Sequence, residues 1–146
     1  MEIAVLALGC FWGPEIKFGK LEGITKTEVG YCGGNNDKTT YEEVCSGNTN
    51  HAEVVKIEFD PIKISYEKIL QYFFEIHNPT TLNAQGPDIG TQYRSEIFYI
   101  NEEQKKIAEK IIEEKDKKLS GKVVTKLSKL KNYCKAEDYH QKYLEK

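Results

Sequence analysis

The sequence predicts an α/β chain, an α+β two-layer sandwich with a ferredoxin-like β-α-β-β-α-β core, a mixed sheet and an irregular C-terminal segment. Residues 3–8 form an unbroken apolar run, which is typical of a central strand covered on both faces. Two segments with apolar residues at helical spacing, 65–77 and 101–119, each follow a strand-like segment. Helices and strands in this order form two layers, with the helices packed on the sheet.

The next elements after the first strand are a helix, a second strand and a short helical turn. Residues 14–21 begin with proline, which is tolerated in a first helical turn, and continue with apolar residues at helical spacing. Residues 23–31 are rich in β-branched and aromatic types, which predicts a strand. Residues 40–45 predict a short helix with Thr39 or Thr40 as its cap.

The third strand and the helix after it are predicted from their periodicity. Residues 53–59 alternate, with Val55, Ile57 and Phe59 on one face and charged residues on the other. A serine then caps the helix predicted over 65–77, whose apolar residues recur at three- and four-residue intervals. The third strand should therefore have one face in the core and one wetter face.

A long loop with proline and glycine, residues 78–93, separates this helix from the last elements, and loops of this length are often functional. Residues 95–100 predict a strand. A capping-box pattern opens the helix over 101–119, which a glycine ends. Residues 122–127 predict a last strand and 137–144 a short terminal helix.

Length and charge exclude several classes of protein. The 146 residues suit one domain, which we assign to residues 1–146. The net charge of −2 indicates neither a nucleic acid nor an anionic membrane as partner. No stretch approaches the roughly 20 apolar residues of a membrane span, and the first apolar run is too short and lacks the basic leader of a signal peptide. We therefore expect a cytoplasmic protein, and also a monomer.

The most informative stretch is Gly9-Cys10-Phe11-Trp12-Gly13, at the junction of the first strand and the first helix. Unpaired N–H groups and the helix dipole favour an anion there, so we expect a lowered pKa for the Cys10 thiol. The glycines allow a tight turn and the close approach of a ligand. The two aromatic residues predict an apolar pocket for a small group that carries an electrophilic atom. The alternative is that the cysteine and both aromatics are ordinary core residues.

The Gly9–Gly13 stretch resembles the signature of the A-type peptide methionine sulfoxide reductases. Three later parts of the chain resemble the same family in matching order and spacing, so the resemblance covers essentially the whole sequence. The family is known for a fold of the ferredoxin-like kind, which agrees with the predicted order of elements. The three later parts are residues 40–47 with 51–55, residues 86–95 and residues 136–141.

The resemblance implies a thiol-dependent oxidoreductase that repairs oxidised methionine by reducing methionine-S-sulfoxide, both free and in proteins. Cys10 attacks the sulfoxide sulfur, methionine is released, and Cys10 becomes a sulfenic acid, the reversible first stage of cysteine oxidation. A sulfoxide is a poor electrophile until its oxygen is protonated or hydrogen-bonded, so the site also needs donors. The resemblance assigns Glu53 as the acid, Tyr41 and Tyr93 as hydroxyl donors, Asp88 as a polar partner, and Phe11 with Trp12 as the pocket for the methyl group.

Without the resemblance these residues have ordinary interpretations. Glu53 on a strand is usually a solvated residue, and Asp88 between proline and isoleucine is usually a turn former. Tyr41 and Tyr93 are two of nine tyrosines and would be packing residues with a wet hydroxyl. A carboxyl group beside an aromatic pocket, however, has its pKa raised by desolvation, so Glu53 is expected to hold a proton near neutrality.

The resemblance implies that thioredoxin, or a glutaredoxin- or glutathione-type thiol, regenerates Cys10, with no cofactor besides this external reductant. In the family a second cysteine usually attacks the sulfenic acid from a glycine-rich tail, and none follows His140 here. Cys134 is the nearest candidate for this resolving role, and Cys32 is the second because adjacent glycines make it mobile. Cys45 is expected to be a packing residue. A one-cysteine route, in which the external thiol acts directly, is equally open.

Two other classes of function are weighed against the reductase. A cysteine hydrolase or acyl transferase needs a histidine within hydrogen-bond reach of the Cys10 sulfur, for which His51 and His140 are the residues to test. A zinc-binding or peptide-docking module is the non-enzymatic alternative. The histidines, including His77, are scattered and no cysteine pair has CxxC spacing, so the sequence predicts no metal site.

Overall fold

Eight strands and four α-helices run along residues 1–145, the part of the chain that this computed structural model describes. The strands are β1 (Glu2–Leu8), β2 (Ile24–Cys32), β3 (Ala52–Phe59), β4 (Ala84–Gln85), β5 (Asp88–Ile89), β6 (Ser95–Tyr99), β7 (Lys126–Lys129) and β8 (Cys134–Lys135). The helices are α1 (Trp12–Gly19), α2 (Tyr41–Cys45), α3 (Tyr66–Glu75) and α4 (Glu102–Lys118), and short 3₁₀ turns cover Thr91–Tyr93, Asp138–His140 and Tyr143–Glu145. Within residues 1–145, no helix has the length and apolar character needed to cross a membrane.

Six strands form one sheet in the order β7-β6-β1-β3-β2-β8. Its four central strands, β6-β1-β3-β2, pair antiparallel, with α1 connecting β1 to β2 and α3 lying between β3 and β6 in the chain. This is the predicted ferredoxin-like core. At the two edges, β7 pairs parallel with β6 and β8 pairs antiparallel with β2, so the sheet is mixed, as predicted. The remaining strands, β4 and β5, form a small separate hairpin.

Both faces of β1 are buried, which confirms the interpretation of its apolar run. On one face Leu6 belongs to the main core, which includes Ile69 of α3 and Ile111 of α4. On the other face Val5 belongs to a second cluster, against which Leu130 and Tyr133 pack. The turn that follows β1 is therefore held between two packed layers.

The predicted helix caps are confirmed. The Thr40 hydroxyl accepts a hydrogen bond from the Glu43 N–H at 3.2 Å, and Ser65 accepts one from the Lys68 N–H at 3.1 Å. The Asn101 side chain accepts from the N–H of the residue three positions on, at 2.9 Å. Each cap satisfies an N–H that would otherwise have no partner at the helix start.

Three elements differ from the prediction. The strand predicted over 122–127 is β7, which covers Lys126–Lys129, because the N–H groups of Val123 and Val124 bond to the Asp116 side chain and the Pro79 carbonyl instead of a strand. Contrary to the prediction, it is not the last strand, since the short β8 follows it.

The predicted helix over 137–144 is two 3₁₀ turns. Gln141 between them is extended, and its side chain bonds to the N–H and C=O of Val29 in β2. The predicted loop 78–93 contains β4, β5 and one 3₁₀ turn, since β4 and β5 pair locally.

Candidate active site

Cys10 lies in the turn between β1 and the start of α1, as predicted. Gly9 in this turn has φ +99°, and a side-chain carbon there would lie 2.8 Å from Cγ of Gln85, so the position requires glycine. The backbone N–H of Trp12 is hydrogen-bonded to the Cys10 sulfur. The half-buried thiol therefore faces one donor from the first residue of the helix.

The Cys10 thiol does not have the lowered pKa that its position at a helix start predicted. Its pKa is raised to about 11, mainly by burial and to a smaller extent by the charges of Glu53 and Asp88. The hydrogen bond from Trp12 lowers the pKa but is outweighed. The prediction was wrong because it counted the helix start but not the burial of the sulfur, which is the largest cause, nor the two carboxyl groups that distant parts of the chain bring near it.

Glu53 is the second residue of β3 and is only 1% exposed. One carboxyl oxygen accepts a hydrogen bond from the Phe11 N–H at 3.3 Å, and the other accepts from the Gln92 amide at 3.4 Å. Burial raises the pKa of Glu53 to about 7, although both hydrogen bonds favour the charged form. The expected raised pKa is confirmed, and a group that titrates near neutrality can both hold and release a proton.

Tyr41 and Tyr93 reach the site from different elements. Tyr41 opens α2 and Tyr93 ends the 3₁₀ turn before β6. Their hydroxyl groups lie close enough to interact with each other, and the Tyr41 hydroxyl also interacts with the thiol of Cys45. Burial raises the pKa of Tyr93 to about 12 and that of Tyr41 further still. Both phenols keep their protons at neutral pH and are able to donate.

Asp88 lies in β5 of the small hairpin and is half-buried. Its charge acts on Cys10, Glu53 and Tyr93, raising the pKa of each. The structure thus brings together the five residues to which the family resemblance gives catalytic roles.

The buried Arg94 holds the turn that carries Tyr93. Its guanidinium pairs with Glu96 at 2.7 Å and donates to the carbonyls of Thr91 and Asn50 at 2.8 and 3.0 Å. A buried pair with these additional hydrogen bonds fixes the turn against the start of β3.

The aromatic wall of the site includes a residue that the sequence did not single out for it. Phe11 is buried and Trp12 half-buried, and both rings pack against His140, with centroids 5.3 and 5.7 Å apart. The Trp12 indole N–H donates to Nδ1 of His140 at 3.1 Å, and the ring of Tyr143 stacks on the indole at 4.0 Å. The family-like stretch 136–141 was the only signal that His140 belongs here.

Glu137 also joins the C-terminal segment to the site. Its two carboxyl oxygens accept from the Tyr31 hydroxyl at 2.8 Å and from the Tyr41 N–H at 3.0 Å. These hydrogen bonds lower the pKa of Glu137 despite partial burial. Because Tyr41 is the first residue of α2, this carboxylate fixes both a helix start and a site residue.

The remaining cysteines correct two expectations. Cys32 is not mobile: it is fully buried at the end of β2, its sulfur lies 3.3 Å from the Lys131 carbonyl, and burial raises its pKa to about 11. Cys45 is not a packing residue but is exposed at the edge of the site, with its sulfur 3.3 Å from the Gln92 amide. Cys134 is half-buried in the edge strand β8.

The other histidines have structural surroundings. His51 is buried and holds the loop before α2, accepting from the Gly34 N–H at 3.1 Å. His77 lies between the Phe73 carbonyl at 2.5 Å and the Ser95 hydroxyl at 2.8 Å. Among the residues the structure describes, no group of three or more His, Cys, Asp or Glu is placed to hold a metal ion.

Comparison with known proteins agrees with this site. A family model described as peptide methionine sulfoxide reductase matches residues 2–146. The peptide methionine sulfoxide reductase MsrA of Pelagibacter ubique (strain HTCC1062) is 73% identical over 146 residues, 100% of this chain and 99% of that protein. Reduced Mxr1 from Saccharomyces cerevisiae has 40% identity and a TM-score of 0.92 over 99% of this chain and 84% of that chain.

A further structure, Mxr1 from Saccharomyces cerevisiae in complex with Trx2, matches with a TM-score of 0.68 and 29% identity, over 97% of this chain and 84% of that chain. The family model and the high identity to MsrA together determine the family of this protein. The chain belongs to the peptide methionine sulfoxide reductase family and reduces methionine sulfoxide.

Proposed function

We propose that the protein is a peptide-methionine (S)-S-oxide reductase in which Cys10 is the nucleophile and Glu53 the acid. The observation that carries this proposal is the carboxyl group of Glu53, which is buried, has a pKa of about 7 and accepts a hydrogen bond from the residue next to the thiol. Tyr41 and Tyr93 add two protonated hydroxyls for the sulfoxide oxygen. The S preference rests on the family resemblance.

The two pKa values define how the protons are distributed in the free enzyme. Between pH 7 and pH 11, one proton is shared between Glu53 and Cys10, mostly on sulfur. The reactive form carries this proton on Glu53 and leaves Cys10 as the thiolate. Because the charge of Glu53 raises the Cys10 pKa, neutralising Glu53 makes the thiolate easier to form. A protonated Glu53 therefore favours the Cys10 thiolate, and the thiolate favours a protonated Glu53.

In the reaction the Cys10 thiolate attacks the sulfoxide sulfur while Glu53 protonates the oxygen. The protonated oxygen then passes to the Cys10 sulfur as its bond to the substrate sulfur breaks, and the bond between the two sulfur atoms breaks with its electron pair left on methionine. Methionine sulfur is thereby reduced by two electrons and Cys10 is oxidised by two to a sulfenic acid, so atoms and electrons balance. The apolar side chains of Phe11 and Trp12 would contain the methyl group on the reacting sulfur. Asp88 would hold the polar side of the same pocket.

Single-turnover reduction of a peptide with methionine-S-sulfoxide, without added reductant, tests these roles. We expect one methionine per enzyme and a sulfenic acid on Cys10 that dimedone traps. Glu53→Gln should slow the release of methionine by roughly 10²–10⁴-fold, whereas Glu58→Gln on the same strand should not. The matched R-sulfoxide peptide should not react. Full activity of Glu53→Gln would show that another group is the acid.

We also propose that an external thiol, from thioredoxin or a glutaredoxin- or glutathione-type reductant, reduces the sulfenic acid. The similarity to Mxr1, which has been solved with Trx2, supports a thioredoxin. The buried position of Cys32 makes it a poor second cysteine, and Cys134 lies in an edge strand. Loss of one thiol per turnover supports the direct route. Loss of two thiols would instead require a second cysteine, which Cys134→Ser, Cys32→Ser and Cys45→Ser variants would identify.

We propose that free and protein-bound sulfoxides are both substrates, as predicted. Around the site the side chains of Ile89, Tyr139 and Tyr143 are exposed, with Ile89 next to Asp88 and Tyr143 stacked on Trp12. Apolar residues in these positions can contact the neighbours of an oxidised methionine in a peptide. A higher kcat/KM for a peptide than for the free amino acid would support such contacts, and equal values would contradict them.

We also propose that the protein is a monomer, as predicted, and light scattering of the purified protein tests this.

A further inference from the structure

Gln92 is a buried polar residue of the site to which neither the family resemblance nor the proposed mechanism gives a role. It lies in the middle of the Thr91–Tyr93 turn and is 6% exposed. Its amide nitrogen lies 3.4 Å from Oε2 of Glu53 and 3.3 Å from the sulfur of Cys45. A single amide group therefore contacts both a carboxyl group and a thiol.

These two acceptors fix the orientation of the amide. A glutamine NH₂ group has two hydrogens, so it can donate one to Glu53 and the other to the Cys45 sulfur. The reversed amide would place its oxygen against the Glu53 carboxylate, with no donor between them. The turn that carries Gln92 is itself held by Arg94, which donates to the Thr91 carbonyl at 2.8 Å.

The orientation of the amide in turn fixes the carboxyl group. Oε1 of Glu53 is held by the Phe11 N–H and Oε2 by Gln92, so the carboxyl plane has one donor on each oxygen. A proton on the neutral acid must take a lone pair that neither donor occupies. The two donors thereby restrict where the acidic proton of Glu53 can point.

We infer that Gln92 is a positioning residue, whose amide orients the Glu53 carboxyl for proton transfer in sulfoxide reduction. The inference rests on the proposed role of Glu53 as the acid. It also accounts for how a carboxyl group this deeply buried can still ionise, since the amide stabilises its charged form and opposes the effect of burial.

Gln92→Met tests the inference, because methionine has a similar length and no donor. The titration of the Glu53 carboxyl group is followed by its infrared band, in difference spectra against Glu53→Gln. We expect the midpoint of this titration to rise by about one pH unit in Gln92→Met. The kcat for the sulfoxide peptide should fall at least tenfold with little change in KM, since orientation acts in the chemical step. Gln104→Met is the matched control, because Gln104 is buried and hydrogen-bonded to the Ile100 N–H and the Ile3 carbonyl, in α4.

The control should lose stability without moving the carboxyl band or kcat. An unchanged midpoint and kcat in Gln92→Met would overturn the inference, even if Glu53→Gln is inactive and the proposed acid is thereby supported. Retained activity of Glu53→Gln would instead show that Glu53 is not the acid. The infrared midpoint would in that case still test the contact between the Gln92 amide and the Glu53 carboxyl group. If Gln92→Met does not fold, Gln92→Glu keeps the length, replaces the donor by a second carboxyl, and should raise the midpoint in the same direction.

Discussion

The indole N–H of Trp12 donates to Nδ1 of His140 across 3.1 Å, although 128 residues separate them in the chain. The His140 ring also packs against Phe11 and, at 4.5 Å between centroids, against Tyr41. One imidazole therefore contacts the residues that would bind the methyl group and one that would bind the oxygen. The aromatic wall beside Cys10 is thus completed by a residue near the C-terminus.

Loss of this imidazole should weaken substrate binding. We expect His140→Ala to raise KM for the sulfoxide peptide about five- to tenfold and to lower the free energy of unfolding by about 2–3 kcal/mol, because it leaves a cavity and an unpaired indole N–H. His140→Asn, whose side-chain oxygen can replace Nδ1 as acceptor, should recover part of KM. Steady-state kinetics and urea unfolding measure both effects. An unchanged KM with kcat abolished would instead indicate a histidine base, as in a cysteine hydrolase.

Alkylation of Cys10 should respond to the charge of Glu53. Because burial raises the pKa of the thiol to about 11, the rate with iodoacetamide should rise about tenfold per pH unit from pH 7.5 to 9.5. The negative charge of Glu53 is part of this shift, so Glu53→Gln should lower the Cys10 pKa and speed alkylation at pH 8. Peptide mass spectrometry separates Cys10 from the exposed Cys45. Slower alkylation in the variant would contradict the contact between the two charges.

Glu53 should also cost stability above neutral pH. The folded protein holds its proton up to about pH 7, whereas the ordinary value in an unfolded chain is 4.5. The folded state binds the additional proton in this window, so the contribution of Glu53 to the free energy of unfolding falls as pH rises from 4.5 to 7, by about 3 kcal/mol in full. Glu53→Gln should gain stability over the wild type between pH 4 and pH 8, measured by urea unfolding. Parallel curves for the two proteins would contradict this, and Glu58→Gln controls for loss of a charge.

His77 should change the free energy of unfolding with pH in the opposite direction. Burial lowers its pKa to about 4, so the folded state excludes a proton that the unfolded chain binds below about 6.5. Its contribution to stability is therefore lost as pH falls from 6.5 towards 4. In the wild type, Glu53 changes the free energy of unfolding with pH in the opposite direction. We therefore expect the effect of His77 to be clearest in Glu53→Gln. Adding His77→Gln to that variant should flatten its unfolding free energy between pH 4 and 6.5, and a persistent slope would assign the effect to other groups.

Two glycines should respond differently to alanine. A side-chain carbon on Gly34 would overlap the His51 ring and lie 2.5 Å from the Thr49 carbonyl, so Gly34→Ala should lower the melting temperature strongly. A side-chain carbon on Gly13 would contact nothing within 4 Å, and Gly13 lies inside α1. Gly13→Ala should therefore stabilise the protein by up to about 1 kcal/mol. If Gly13→Ala also raises KM, the open space at Gly13 serves the approach of substrate. An equal loss of stability in both variants would contradict the expected difference between the two glycines.

The features that sequence predicted well are local ones. The apolar run of β1, the caps Thr40 and Ser65, and the tight turn at Gly9 each depend on neighbours within a few residues. The topology followed from the order of elements, because few connections between helices and strands satisfy the usual rules. The raised pKa of Glu53 was predictable once an aromatic pocket was assumed beside it.

The features that sequence missed depend on distant contacts. Gln92 meets Glu53 across 39 residues and Glu137 meets Tyr41 across 96, and neither pairing leaves a periodic or spacing signal. The direction of the Cys10 pKa was wrong for the same reason. Cys32 was predicted to be mobile because two glycines follow it, but it pairs with Ala52 of β3 in the sheet.

The contacts between α1 and the C-terminal segment have a consequence for the newly made chain. Trp12 meets His140, and the buried Glu15 accepts from the Lys142 N–H at 2.6 Å, a sequence separation of 127 residues. At typical rates of synthesis, Cys10 leaves the ribosome on the order of 10 s before these partners. During that interval the chain carries a cysteine but no pocket. Reductase activity should therefore appear only when translation of the C-terminal segment is complete, and a stalled chain should be an oxidisable thiol rather than a repair enzyme.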